Sequence, residues 1–277
     1  MGVQAHGLAA AFDFAQDLHN STGETVWMTG EELLALDLEL TLGSAEADPG
    51  SASVTLLLDG IVQEFNVQGS TYKAFEFPLR PGDIARYSVS VPAAAIAAGA
   101  HSGNILIWTA HGSFLGSFTF TVLHDSASFV NRPPVTAAKV VSVPADWATE
   151  VRRNRSALLL FGTNQPPDPD GSLPLNFSVT WTATAECSGV VNRLVLVAFL
   201  DNQQVPLGDL GLRPAVEVQA GQAARFDVVM QHLPPSDGTL HTLQIWQLTG
   251  DGAYSEAPAG QSSLWWGLPT QIGHLEW

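Results

Sequence analysis

The second half of this 277-residue chain repeats the first. Leu36-Asp37-Leu38-Glu39-Leu40-Thr41-Leu42 lines up with Leu175-Asn176-Phe177-Ser178-Val179-Thr180-Trp181 at an offset of 139, apolar on apolar at every second position. Pro81 to Tyr87 lines up with Ala220 to Phe226 at the same offset. Ile105-Leu106-Ile107-Trp108 matches Leu243-Gln244-Ile245-Trp246 at 138, with Gly112 on Gly250, and Leu57-Leu58-Asp59-Gly60 matches Phe199-Leu200-Asp201-Asn202 at 142. Blocks repeated in one order are the mark of a duplicated fold. Whatever one half folds into, the other must fold into as well.

The period within the blocks says what that fold is. Strict alternation of apolar and polar residues over four to eight positions marks a half-buried strand. It runs through Leu36 to Leu42, Ser53 to Leu58, Ala74 to Leu79, Ala85 to Val91, Asn104 to Thr109 and Ser117 to Leu123, with Gly, Pro or Asp near most of the ends. Only Leu8 to Leu18 and Ala93 to Ala98 resemble helix, and the first could equally be an arm that pairs with a sheet. The expected fold is all-β: two tandem antiparallel immunoglobulin-like β-sandwiches from an internal duplication, with an N-terminal arm. Trp108 and Trp246, at matching positions, are expected to pack one sheet on the other, and Trp181 to be buried too. The consecutive prolines of Asn131-Arg132-Pro133-Pro134-Val135 favour an extended linker. The expected division is therefore an arm over 1–23, a first domain over 24–130, a linker and first strand region over 131–155, and a second domain over 156–277.

Asn131 to Val135 resembles the opening motif of cadherin-like and immunoglobulin-like modules of bacterial surface and secreted proteins. Asp168-Pro169-Asp170-Gly171-Ser172-Leu173-Pro174-Leu175-Asn176-Phe177-Ser178-Val179-Thr180 is similar to their aspartate-rich turn leading into a strand, with Ser172 where they usually carry a further acid. The resemblance implies a β-sandwich fold and work in adhesion, spacing or display, at a cell surface or outside the cell.

Charge narrows the partners. Lys plus Arg number 11 and Asp plus Glu 27, a formal charge of −16. Residues 1–130 hold 14 acids and 3 bases, and residues 131–277 hold 13 and 8, so the first domain is the more acidic. No nucleic-acid partner is expected, because phosphate contacts need clustered Lys and Arg. No apolar run reaches the roughly 18 to 20 residues of a spanning helix, so no membrane span is expected either. With 45% hydrophobic and 14% charged residues the composition is globular rather than disordered. Cys187 is the single cysteine, which excludes an intrachain disulfide. Met1 to His6 lacks the basic and apolar regions of a secretory signal. That leaves a virion component assembled in the cytoplasm, or a chain whose leader has been removed.

Asp168 and Asp170 before Gly171 have the spacing of a calcium loop, since alternate oxygens can face one ion. The plainer reading is an Asp-Pro and Asp-Gly turn before a strand. The eight histidines form no His-Glu-x-x-His or His-x-His pair, so no zinc site is expected. His101 and His241 follow glycine-bearing loops at nearly equivalent positions, which points to a shared structural corner. No Gly-x-Ser-x-Gly elbow, dinucleotide fingerprint or Walker loop occurs. Nothing singles out a pair among the acids for glycoside cleavage, and a hydrolase with carboxylates between the domains is the remaining enzymatic alternative. Adjacent Trp265 and Trp266 must point to opposite faces if they lie in a strand, so one is a candidate contact for a glycan or a protein, as are Trp147 and Trp277. Arg152, Arg153 and Arg155 form the one basic cluster in the sequence, suited to an acidic partner such as the first domain of another copy. The expected function is non-catalytic: a structural or interaction module of a surface, extracellular or virion assembly. It would act through protein partners or self-association, with a carbohydrate-binding module as the alternative and no cofactor beyond the candidate calcium.

Overall fold

In the computed structural model of the protein, every alternating segment named above forms strand. The structure describes residues 9–13, 24–28, 33–41, 50–109, 114–125, 136, 138–142, 166–180, 191–219, 222–249 and 270–277. The chain divides into two compact units, Met1–Asn131 and Arg132–Trp277. Among the described residues each is all-β apart from single 3-10 turns at Ala93–Ala95 and Gly208–Leu210.

Unit 1 holds β1 (Ala9–Asp13), β2 (Glu24–Met28), β3 (Leu33–Thr41), β4 (Ser51–Leu58), β5 (Ile61–Val62), β6 (Phe65–Val67), β7 (Ser70–Tyr72), β8 (Phe75–Pro78), β9 (Ile84–Pro92), β10 (Gly99–Thr109) and β11 (Phe114–His124). One sheet runs β1-β3-β9-β6-β7 and the other β2-β11-β10-β4-β5, with β8 also on β4. The pairs are antiparallel except β2 on β11, which is parallel. One apolar cluster joins the two sheets: Leu34, Leu36 and Leu38 of β3 and Val89 and Val91 of β9 pack with Val54 and Leu56 of β4, Ile105 and Ile107 of β10, and Phe120 and Val122 of β11. Each such fully buried side chain is worth about 1.5–3 kcal/mol, which makes this cluster the main source of stability.

Unit 2 holds β12 (Lys139–Ser142), β13 (Leu173–Thr180), β14 (Val191–Leu200), β15 (Gln203–Val205), β16 (Ala215–Gln219), β17 (Gln222–Met230), β18 (Thr242–Thr249) and β19 (Thr270–Glu276). Its sheets run β12-β17-β13 and β15-β14-β18-β19, with β16 also on β14. The duplication is visible in the ladders. Leu36 stands opposite Val89 in unit 1 and Leu175 opposite Val228 in unit 2, both residues moved by 139. A β-bulge follows Ile107 on β10 and Ile245 on β18, immediately before the paired tryptophans.

Of the two readings of Leu8 to Leu18, the structure shows the arm that pairs with a sheet: Ala9–Asp13 is strand β1 on the edge of β3, where the ladder supplies backbone partners that an isolated turn of helix would lack. Helix at Ala93 to Ala98 is limited to the single 3-10 turn Ala93–Ala95, between the end of β9 at Pro92 and the start of β10 at Gly99. The half-buried reading, by contrast, fails for the central strands. Val54, Leu56, Ile105 and Ile107 face the cluster, yet Thr55, Leu57, Leu106 and Trp108 on the opposite face are also buried. In unit 2, Val195, Val197, Phe199, Trp246 and Leu248 repeat this second buried face. Trp108 and Trp246 are thus fully buried at matching positions, but on the far side of the sheet from the core cluster.

Candidate functional site

The most conspicuous polar constellation occurs twice. β4 and β5 are joined by the two-residue turn Asp59-Gly60, and β14 and β15 by Asp201-Asn202. All four residues have positive φ, from 47° to 77°, the geometry of the primed hairpin turn that an Asp-Gly dipeptide favours. The turn aims each aspartate at the start of the neighbouring strand. Asp59 Oδ1 accepts the Ser102 N–H at 3.0 Å, and Asp59 Oδ2 lies 2.7 Å from His101 Nδ1. Asp201 Oδ1 accepts the Thr242 N–H at 2.8 Å, and its Oδ2 lies 2.8 Å from His241 Nδ1. The backbone closes the same clasp, with Asp59 N–H donating to Ser102 O and Asp201 N–H to Thr242 O.

The two clasps differ in depth. The His101 side chain is 3% exposed and Asp59 11%, against 14% for His241 and 43% for Asp201. His101 Nε2 also lies 2.8 Å from the Ala97 carbonyl, so both ring nitrogens face acceptors. Only the imidazolium can donate to both. Burial by itself would lower the His101 pKa, but the Asp59 carboxylate and the Ala97 carbonyl outweigh it and raise the value above normal. His241 instead packs on the ring of Trp277 at 5.9 Å, and the two residues exchange backbone hydrogen bonds.

These are acid–imidazole pairs whose residue types suit proton transfer and whose placement suits fastening. A general base needs a ring nitrogen directed at a substrate; in His101 both are engaged, whereas His241 Nε2 is buried without a hydrogen-bond partner among the described residues, 4.0 Å from Asp237 Oδ1. The pairs are the shared corner that the two histidines' matching positions imply. The alternation and motif spacing do not mark Asp59 and Asp201 as their partners; the signal for them is that each occupies a two-residue turn between strands in a repeated block.

Of the residues named from sequence as contacts, Trp147, Arg152, Arg153, Arg155, Trp265 and Trp266 lie outside the described residues, as do Trp181 and Cys187. Trp277 is described: its Nε1–H donates to the Pro234 carbonyl at 3.0 Å. Asp168 and Asp170 lie in the turn before β13. The Ser172 hydroxyl and amide both donate to the Asp170 carboxylate and hold its pKa below the ordinary range. Gly171 N–H donates to Asp168 O, and Asp168 N–H to Ser172 O. This is the hydrogen bonding of an aspartate turn. Among the described residues no three of His, Cys, Asp and Glu gather as a metal would require.

No protein-family model matches the chain, and no curated protein matches it in sequence. Among solved structures it is similar to CBD12 from CALX1.2, at 10% identity over 84% of this chain and 82% of that one, with a TM-score of 0.20. The calcium binding domain CBD12 of CALX1.1 matches at 10% identity over 82% and 78%, TM-score 0.21. The YadV chaperone matches at 8% identity over 97% and 99%, TM-score 0.26. At such scores these likenesses add nothing to the β-sandwich architecture already described.

Proposed function

We propose that the chain is a non-catalytic interaction module of a larger extracellular or cell-surface assembly, with a virion as the alternative setting. It would contact protein partners or further copies of itself through sheet faces and edge strands. The observation that supports this reading is the duplicated Asp–His clasp: in both units the carboxylate holds the imidazole Nδ1 and a backbone amide and so closes a hairpin. What remains for function is surface. Among the described residues β1 and β7 end the first sheet of unit 1, and an edge strand offers backbone donors and acceptors to an added strand. The charge of −16 disfavours anionic partners and keeps free copies apart until a specific contact forms.

Light scattering across a concentration range, with and without calcium, tests this. A defined oligomer or filament supports self-association. A constant mass of 29.4 kDa removes it and leaves a separate protein partner. A calcium-dependent mass would assign an ion to the Asp168–Asp170 turn, and an unchanged one leaves that turn structural.

A further inference from the structure

Unit 2 contains a cleft of about 610 Å³ that follows from a difference between the two repeats. In unit 1, strand β6 pairs with β9 at Val89 and Ser90. Moved by 139, those positions are Val228 and Val229 of β17, and there unit 2 places the 3-10 turn Gly208–Leu210 instead of a strand. The turn is pressed onto β17: a Cβ on Gly208, whose φ is 56°, would stand 2.9 Å from the Val229 carbonyl oxygen. A turn covers less of the sheet than a strand does. The uncovered space is bounded by β17, the turn, the end of the β14–β15 hairpin and the segment through Leu233.

The walls are built rather than loose. His232 holds a φ of 60°, which a side chain with a Cβ rarely adopts, and the next residue fixes it in place: Leu233 N–H donates to Gly171 O at 3.0 Å. Gly171 has no room for a side chain, since a Cβ there would lie 2.8 Å from Leu233 O. The Asp168–Gly171 turn, whose spacing in the sequence suits either a plain aspartate turn or a calcium loop, thus buttresses the rim of the cleft.

Chemically the cleft is two-sided. Leu200, Val205, Met230 and Leu233 supply apolar lining, and the exposed Asp209 and Asp227 supply two carboxylates, beside the exposed imidazole of His232. Its volume lies within the roughly 300–1,000 Å³ of small-molecule sites. From the apolar lining, the two carboxylates and the net negative charge of the chain we infer that this cleft binds a small organic cation, an ammonium group carried on an apolar or aromatic body. The body replaces water on the apolar lining while the ammonium is attracted to Asp209 and Asp227, and the protein's negative field raises the local concentration of such ligands.

The test is calorimetric titration of the full chain with tryptamine, its neutral isostere tryptophol and the anion indole-3-propionate. The expected result is saturable binding at one site, with tryptamine at least about tenfold tighter than tryptophol, which corresponds to about 1.4 kcal/mol, and no binding of the anion. Asp209→Asn should lose most of that preference, and Asp209→Lys should turn it toward the anion. Because Asp227 also accepts a hydrogen bond from Asn176, Asp209 is the cleaner site to change, and an unaltered circular dichroism spectrum certifies the fold. Equal affinity for amine and alcohol, or a preference that survives Asp209→Asn combined with Asp227→Asn, overturns the inference, as does the absence of saturable binding.

Discussion

The two units close the same hairpin with the same two side chains, but unit 1 buries the pair and unit 2 leaves it at the surface. In unit 1 the imidazole lies between a carboxylate and the Ala97 carbonyl, out of water. In unit 2 the aspartate is 43% exposed and the imidazole rests on Trp277. One device therefore operates at two dielectric depths within one chain, and depth decides how much each clasp contributes. An exposed ion pair is worth about 0–1 kcal/mol, whereas removing one member of a buried pair costs about 3–5 kcal/mol, because a charge is left without compensation.

The largest effect should accordingly come from Asp59→Ala. We expect it to destabilise unit 1 by about 3 kcal/mol or more, while Asp201→Ala costs unit 2 about 1 kcal/mol or less. Amide hydrogen exchange on the intact chain separates the units: Asp59→Ala should accelerate exchange in β4 and β10 and leave β14 and β18 protected. Equal losses in the two units would show that burial depth does not govern the clasp.

The second difference concerns the strands that follow the clasps. Gly103 stands opposite Leu58 and Phe120, whereas the residue opposite Leu200 in unit 2 is Leu243, itself paired with Leu275. A Cβ on Gly103 would collide with the Phe120 ring, which fills in unit 1 the space that the Leu243 side chain fills in unit 2. Gly103→Ala should therefore cost about 1–3 kcal/mol through overpacking. Gly103→Leu combined with Phe120→Leu, which imports the unit 2 arrangement, should recover part of that loss. Urea unfolding of the three variants measures both, and a neutral Gly103→Ala would mean that the ring moves aside freely.

These contrasts mark what could be read from the sequence. The strands β3, β9, β13 and β17 were legible as repeated alternating blocks at a constant offset of 139, whereas their pairing and register come from the structure. The slip in the other sheet was not. Seven positions separate His101 from the bulge tryptophan Trp108, and five separate His241 from Trp246. Two residues are one full strand period, so the added pair leaves every side chain on its original face and the hydrophobic pattern unchanged. The second buried face leaves no mark in the alternation for a related reason. Thr55, Ser53 and Gln244 are polar by type, and alternation reports type, whereas their burial depends on what covers the sheet. The cleft in unit 2 arises where a strand became a turn, and it was invisible because residues 206 to 211 match no block in the first half.

A smaller test addresses the cover on the unit 2 clasp. Trp277→Ala removes the ring from His241 and the hydrogen bond to the Pro234 carbonyl. A ring contact of this kind is worth about 0.5–1.5 kcal/mol beyond area burial, and the indole also packs partly buried against the unit 2 core, so a loss of about 2 kcal/mol confined to unit 2 is expected from urea unfolding. If unit 1 weakens equally, the C-terminal tryptophan supports more than its own clasp.

The subtlest consequence of burial depth is a dependence on pH. The folded-state pKa of His101 is raised above its unfolded value by Asp59 and Ala97, against the opposing pull of burial. Folding then binds a proton, so the contribution is fully present below the unfolded value of about 6.5 and is lost as pH rises through the higher folded value. The other titratable pair near the same loop is His124, whose Nδ1 faces the Ile96 carbonyl and whose Nε2 lies 3.5 Å from Asp125. To isolate His101, the pH dependence should be measured in the wild-type chain and in Asp59→Asn. Opening free energies in β10, from amide exchange between pH 6 and pH 9, should fall with rising pH in the wild type by less than the whole cost of Asp59→Ala. The fall should be flatter in Asp59→Asn. A slope that persists undiminished in that variant would detach the pH effect from the Asp59–His101 pair, and the deeper clasp would then hold its histidine by shape alone.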